Sequence, residues 1–196
     1  MINTFKRFAI KSGFRDLIII SQYPTVIFDS YYKDLKIDYK VIFQPIASEF
    51  VEHYHTNKSS CLKRVIELST KKLHIYDVIK GIKKKIITDE HLKVLRKLDY
   101  DRAWNIILNE MPVSPKTING CFTTWDNTPR SKIGTVYVGA EPAKFEKYMR
   151  EIIKKPSALN LIFINAWNEW AEGAYLEPDE RNGNAYLEAL KRAMDL

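Results

Sequence analysis

Four short apolar runs punctuate the chain: Leu17-Ile18-Ile19-Ile20, Val41-Ile42-Phe43, Gly120 to Trp125, and Leu161 to Ala166. Each is continuous rather than alternating, the pattern of strands covered on both faces in a parallel sheet. The first ends at Ser21 and Pro24, the second at Gln44-Pro45. Between and after them apolar residues recur at helical spacing. Trp104, Ile107, Leu108 and Met111 form one stripe; Phe145, Tyr148, Met149, Ile152 and Ile153 form a second; Tyr186, Ala189, Leu190, Ala193 and Met194 form a third. Pro142 stands where the second helix begins, a position at which its missing N–H costs little. Buried strands alternating with amphipathic helices predict an α/β architecture with mostly parallel strands. A closed barrel of this kind needs eight strands and about 250 residues. Four strands in 196 residues predict a partial (β/α)8, TIM-like barrel, or else an open sheet.

Composition narrows the picture in two places. Residues 61–97 hold eleven Lys or Arg against four acids, which equals the whole chain's net charge of +7. The chain reads as a single domain over residues 1–196, and residues 58–98 read as a basic helical subregion between the second and third strands. Ile and Leu interleave those lysines, which fits a solvated helix face better than a base-stacking platform, so nucleic acid is not expected as a partner. Cys61 and Cys121 are the two cysteines, too few for a disulfide framework or a metal cluster. No run approaches the roughly 20 apolar residues that span a bilayer, and Met1 to Arg15 lacks an uninterrupted apolar signal region. A cytoplasmic location, no transmembrane segment and no secretory signal are the resulting expectations.

The chemistry gathers where the last two apolar runs end. Asn165-Ala166-Trp167-Asn168-Glu169-Trp170-Ala171-Glu172 interleaves indoles, amides and carboxylates, with Tyr175 and Glu177 just beyond. Aromatic faces stack on pyranose rings, amides bond hydroxyls, and paired carboxylates act on glycosidic oxygens. On a helical turn Glu169 and Glu172, at i and i+3, would share one face with Cβ atoms about 5–6 Å apart. Burial against Trp167 and Trp170, with repulsion between the two, would keep one of them protonated. Trp125-Asp126-Asn127-Thr128-Pro129-Arg130 follows the third run. Asp126 and Asn127 either hold sugar hydroxyls or build an Asx turn before Thr-Pro. Arg130 either orients a carboxylate or binds an anion. Parallel sheets bring such loops together at their carboxyl edge.

Two weaker signals are set aside. Asp99-Tyr100-Asp101 has the D-x-D form of a metal-diphosphate site, but an Asp before a helix is ordinary capping. His53-Tyr54-His55 offers two imidazoles on one strand face, and two ligands without a third make a poor zinc site. No metal site and no cofactor are expected.

The segment Asn165 to Asp179, followed by Ala185-Tyr186-Leu187-Glu188-Ala189, resembles the hallmark of the WbsX-type glycosyltransferase family. Trp125 to Arg130 is similar to that family's other signature, and Val41 to Pro45 and Ile75-Tyr76-Asp77 are similar to weaker positions. The resemblance implies a role in bacterial surface-polysaccharide synthesis, O-antigen or capsule, and kinship with endo-α-mannosidase barrels. It implies a carbohydrate substrate bound by Trp125, Asp126, Asn127, Arg130, Asn165, Trp167, Trp170, Tyr175 and Glu177. Catalysis would fall to Glu172 as general acid/base and Glu169 acting on the neighbouring 2-hydroxyl. A glycoside hydrolase or a non-catalytic glycan-binding remnant is the alternative. The residues match the C-terminal part of such a barrel, which implies a partner: an N-terminal barrel half, or a second copy.

Overall fold

In a computed structural model, residues 2–23, 37–56 and 94–195 are described. Four parallel strands form one curled sheet that makes up half of a barrel. They are β1 (Ile20–Tyr23), β2 (Tyr39–Ile42), β4 (Thr117–Phe122) and β6 (Ile162–Asn165), adjacent in that order. A second parallel pair, β3 (Val94–Asp99) with β5 (Ile133–Val138), runs in register from Val94↔Ile133 to Asp99↔Val138. Two-residue strands β7 (Asn168–Glu169) and β8 (Ala174–Tyr175) pair antiparallel beyond β6. The helices are α1 (Ile2–Lys11), α2 (Ile46–Thr56), α3 (Tyr100–Asn109), α4 (Pro142–Ile153) and α5 (Ala185–Met194).

The second and third helical stripes form the helices they predict, α4 and α5. Pro142 opens α4, and the buried Phe145, Tyr148, Met149 and Ile152 meet the buried Tyr186, Ala189 and Ala193 of α5 in the main core. At its centre lies Trp104 of α3, roughly parallel to both Phe122 (6.1 Å between centroids) and Tyr148 (5.2 Å). Asp99 caps α3 by accepting the Arg102 N–H at 2.7 Å. The D-x-D segment is therefore a helix start, and Asp101 is engaged by Lys144 and the Tyr148 hydroxyl, each at 2.6 Å.

The strands depart from the apolar runs for reasons visible in their hydrogen bonds. Leu17 to Ile19 is a lead-in, not a strand: the Asp38 carboxylate takes the Ile19 N–H at 2.8 Å and is itself clasped by Lys6 at 2.7 Å. The ladder begins only at Ile20. β4 begins three residues earlier than its run and stops at Phe122. Beyond it the Thr123 N–H still reaches Asn165, but Trp125 turns its carbonyl to Tyr137 of β5 at 2.9 Å. All six residues of β4 are buried, whereas on β6 Phe163 is exposed. Coverage on both faces thus holds for β4 and fails for β6. Gly120 permits the β2–β4 approach, because a Cβ there would sit 1.9 Å from the Ile42 carbonyl oxygen.

Two further expectations are corrected. His53-Tyr54-His55 lies in helix α2, not a strand. Residues 94–98, assigned from sequence to the basic helical subregion, are strand β3. Val94, Leu95 and Leu98 alternate with basic neighbours too loosely to separate them from the lysine-rich run. The rest of that subregion, with Cys61 and Ile75-Tyr76-Asp77, lies outside the described residues.

Candidate active site

The carboxyl ends of β2, β4 and β6 converge through backbone and amide contacts. The Asn165 amide donates to the Gln44 carbonyl at 3.0 Å, and the Thr123 N–H donates to the Asn165 carbonyl at 3.3 Å. Next, the Thr124 hydroxyl donates to the Gly173 carbonyl, and the Asp126 N–H to the Glu172 carbonyl at 2.7 Å. The segment after β4 is therefore sewn to the loop after β6, as a shared rim requires. Gly173 makes the approach possible. It has φ of 59°, and a Cβ on it would lie 3.0 Å from the Asp126 nitrogen.

Glu172 ends a single 3-10 turn, Trp170–Glu172, and is 9% exposed. Its carboxylate forms an ion pair with the Arg130 guanidinium, whose side chain is half exposed. Of the two readings open for Arg130, orienting a carboxylate is the observed one. A buried carboxylate needs such a partner. Glu169 lies in β7 at the entry to that turn, half-buried, with φ −83° and ψ 68°. Its backbone is not helical, so the two glutamates straddle a strand-to-turn junction instead of sharing one helical turn.

The aromatic rim divides. Trp167 and Trp170 are 53% and 48% exposed, while Trp125 is 3% exposed and belongs to the main core. Trp125 is thus a packing residue and presents no face to a sugar. Its apolar neighbours Phe122 and Cys121 continue the strand's core side, and the preceding run gave no signal of that. Trp170 is held on both counts that fix an indole. It stacks on Tyr175 with centroids 3.9 Å apart and planes 19° apart, and its N–H donates to Glu177 at 2.7 Å. Burial, chiefly, pushes the Tyr175 phenol up from its ordinary value. The Trp167 carbonyl takes the N–H groups of Leu176 and Glu177 at 2.9 and 3.0 Å, closing the loop.

Asp126 and Asn127 serve the turn. Asp126 accepts from the Thr128 N–H at 3.0 Å and hydroxyl at 2.6 Å, and Asn127 accepts the Thr135 N–H at 2.7 Å. The Asp126 bond to the N–H two residues on is the one the Asx-turn reading expects, whereas Asn127 reaches across to β5. Three residues escaped the sequence reading of the site: Thr124, Gly173 and, as a buried side chain, Gln44. A glycine directly after Glu172 was the available signal for the close approach. The side chains of Gln44 (Nε2), Thr123 (Oγ1) and Trp125 (Nε1) each leave a buried polar atom without a hydrogen-bond partner at the ends of β2 and β4. Among the described residues, no three His, Cys, Asp or Glu side chains group to hold a metal ion, and no helix is long and apolar enough to cross a membrane.

An α/β half-barrel with a buried carboxylate and exposed indoles at its strand ends is the kind of scaffold carbohydrate-active proteins use. Residues 1–190 match the family described as Glycosyltransferase WbsX, and the chain belongs to that family. It is also similar to the "Uncharacterized protein WxcX" of two Xanthomonas campestris pv. campestris strains, B100 and ATCC 33913, each 46% identical over 76 residues. That match covers 36% of this chain and 11% of either relative, so the chain spans a small part of their length. No solved structure matches.

Proposed function

We propose that the chain is a glycosyl-transferring enzyme of bacterial surface-polysaccharide synthesis, acting in the cytoplasm, with its site at the rim formed by residues 124–130 and 165–177. The observation that carries this reading is the buried Glu172 paired with Arg130 beside exposed, fixed Trp170. Family membership supports transfer as the class of reaction. The partial TIM-like barrel is the fold this reading expects.

The ion pair bears on the mechanism. A glutamate on a guanidinium stands as its carboxylate, the form a general base requires. In transfer, an acceptor hydroxyl oxygen bonds to the anomeric carbon, the bond from that carbon to the leaving-group oxygen breaks, and Glu172 receives the hydroxyl proton. Glu169 would bond a neighbouring hydroxyl, and Trp170 would carry the sugar's apolar face. Trp167 would supply a second stacking surface. Asn165 and Glu177 hold the rim's shape.

A second reading is an endo-acting α-mannosidase-like hydrolase, favoured by two carboxyl groups only three residues apart. It requires Arg130 to leave Glu172 so that the latter can carry a proton. The assay is product formation from activated sugar donors and from oligosaccharides, followed by mass spectrometry. Glu169→Gln and Glu172→Gln should each lower turnover by about 100-fold or more with unchanged circular dichroism. Turnover unchanged from wild type in both variants would dismiss the assignment, and reducing ends formed without a donor would select hydrolysis. Glycan binding without any product would leave a binding remnant.

A further inference from the structure

One face of the Trp170 indole is taken by the Tyr175 ring, 3.9 Å away between centroids, and its N–H is taken by Glu177. Trp170 is nonetheless 48% exposed, so the opposite face is what it offers to solvent. That face has no hydrogen bond to give. It attracts C–H bonds, as the negative face of an aromatic ring attracts any positive edge. Tyr175 is backed in its turn: its hydroxyl faces the Asp179 carboxylate. Burial first, and that carboxylate second, raise the phenol from its ordinary value, so the hydroxyl keeps its proton.

Asp179 is fixed from its other side. Its carboxylate accepts from the Asn182 N–H and, at 3.1 Å, from the Asn182 amide. The Gly183 N–H closes this turn on the Asp179 carbonyl at 2.8 Å. The chain then enters α5, whose Tyr186, Ala189 and Ala193 are buried in the main core. A line of contacts thus runs from the core through α5, Asn182, Asp179 and Tyr175 to Trp170. Side chains locked in this way by packing and by a second layer of hydrogen bonds present a ligand with a defined surface.

We propose that Asp179 is a positioning residue for the glycan: it holds Tyr175 behind Trp170, so that one indole face stays turned outward to stack on the C–H face of a pyranose. The stacking on a pyranose rests on the glycosyl reading above, whereas the hold on Trp170 is read on the free chain. The test is the set of indole N–H signals in nitrogen-edited NMR of the full chain, those of Trp170 and Trp167 assigned by Trp170→Phe and Trp167→Phe. Asp179→Asn and Tyr175→Phe should each move the Trp170 signal and leave that of Trp167 in place. Tyr175→Phe spares the Asn182 turn, so it decides the matter even if Asp179→Asn fails to fold. Methyl glycosides of glucose, galactose and mannose are then titrated separately. At least one should shift the Trp170 signal. Each variant should weaken that binding by about 3- to 10-fold, and the double variant should be no weaker than either single. A Trp170 signal unmoved by Tyr175→Phe, a Trp167 signal moved equally, or losses that add in the double variant would overturn the positioning role. No shift with any of these glycosides would overturn the ligand. Turnover indifferent to Glu172→Gln, with these results intact, would remove the catalytic reading and leave this one standing.

Discussion

Two tryptophans three residues apart, Trp167 and Trp170, stayed at the surface, while Trp125 at the end of another apolar run went into the core. Local composition did not separate them, because both follow strands and both stand beside amides and acids. What separated them is the length of the strand before each and the partner of each backbone. Trp125 hands its carbonyl to β5 and turns inward, whereas Trp170 is propped outward by Tyr175 and Glu177. Glu172, Arg130 and the Asx turn of Asp126 were legible as residue types; the ion pair between two distant segments was not, since no spacing rule links positions 130 and 172. Gly173 should be intolerant of a side chain. Gly173→Ala should cost about 1–2 kcal/mol for its left-handed backbone, read as a lower urea midpoint, and an unchanged midpoint would contradict the close approach to Asp126. Burial pushes the Cys121 thiol well up, so in a Cys61→Ser chain it should stay unreactive toward a disulfide reagent at mildly alkaline pH until the protein unfolds. Rapid labelling of the native chain would contradict its burial.

The helices announced themselves through period and punctuation, as in Pro142 with the stripe of α4 and Asp99 with α3. The strands were found but misplaced by one to three residues, in part because side chains such as Asp38 take over backbone donors before a ladder begins. β3 and β5 were missed: lysines mask the first, and nothing in Ile133 to Val138 names its partner forty residues back. The aromatic stack holds α3 to β4 and α4. Trp104→Ala should therefore cost about 3–5 kcal/mol in chemical denaturation, and a loss under 1 kcal/mol would mean the stack is not the core's centre. Asp101 ties α3 to α4. The Lys144 hydrogen bond, then that of Tyr148, holds its carboxyl below the ordinary value. Its contribution is thus present above the unfolded carboxylate range and fades as pH falls through the folded value. The pair is partly exposed, so Asp101→Asn should cost no more than about 1 kcal/mol at neutral pH. That difference should vanish in denaturation curves taken at strongly acidic pH.

For the whole molecule, alternating elements foretold an α/β half-barrel, and the carboxyl ends of its strands are where the predicted chemistry lies. The order of its strands could not be read from periodicity, because strand order is set by contacts far apart in the chain. The basic run at 61–97 drew attention through charge, yet the described part of it is a strand whose Arg96 pairs with Glu49 of α2. The rim between residues 124–130 and 165–177 stands instead on sewn backbones and one buried carboxylate, and the account of function rests there. Its most direct test is the surface polysaccharide of the source organism after deletion of the gene and return of wild-type or Glu172→Gln protein at matched levels. The account predicts that the wild-type chain restores the polysaccharide and the Glu172→Gln chain does not. Full restoration by Glu172→Gln would contradict it.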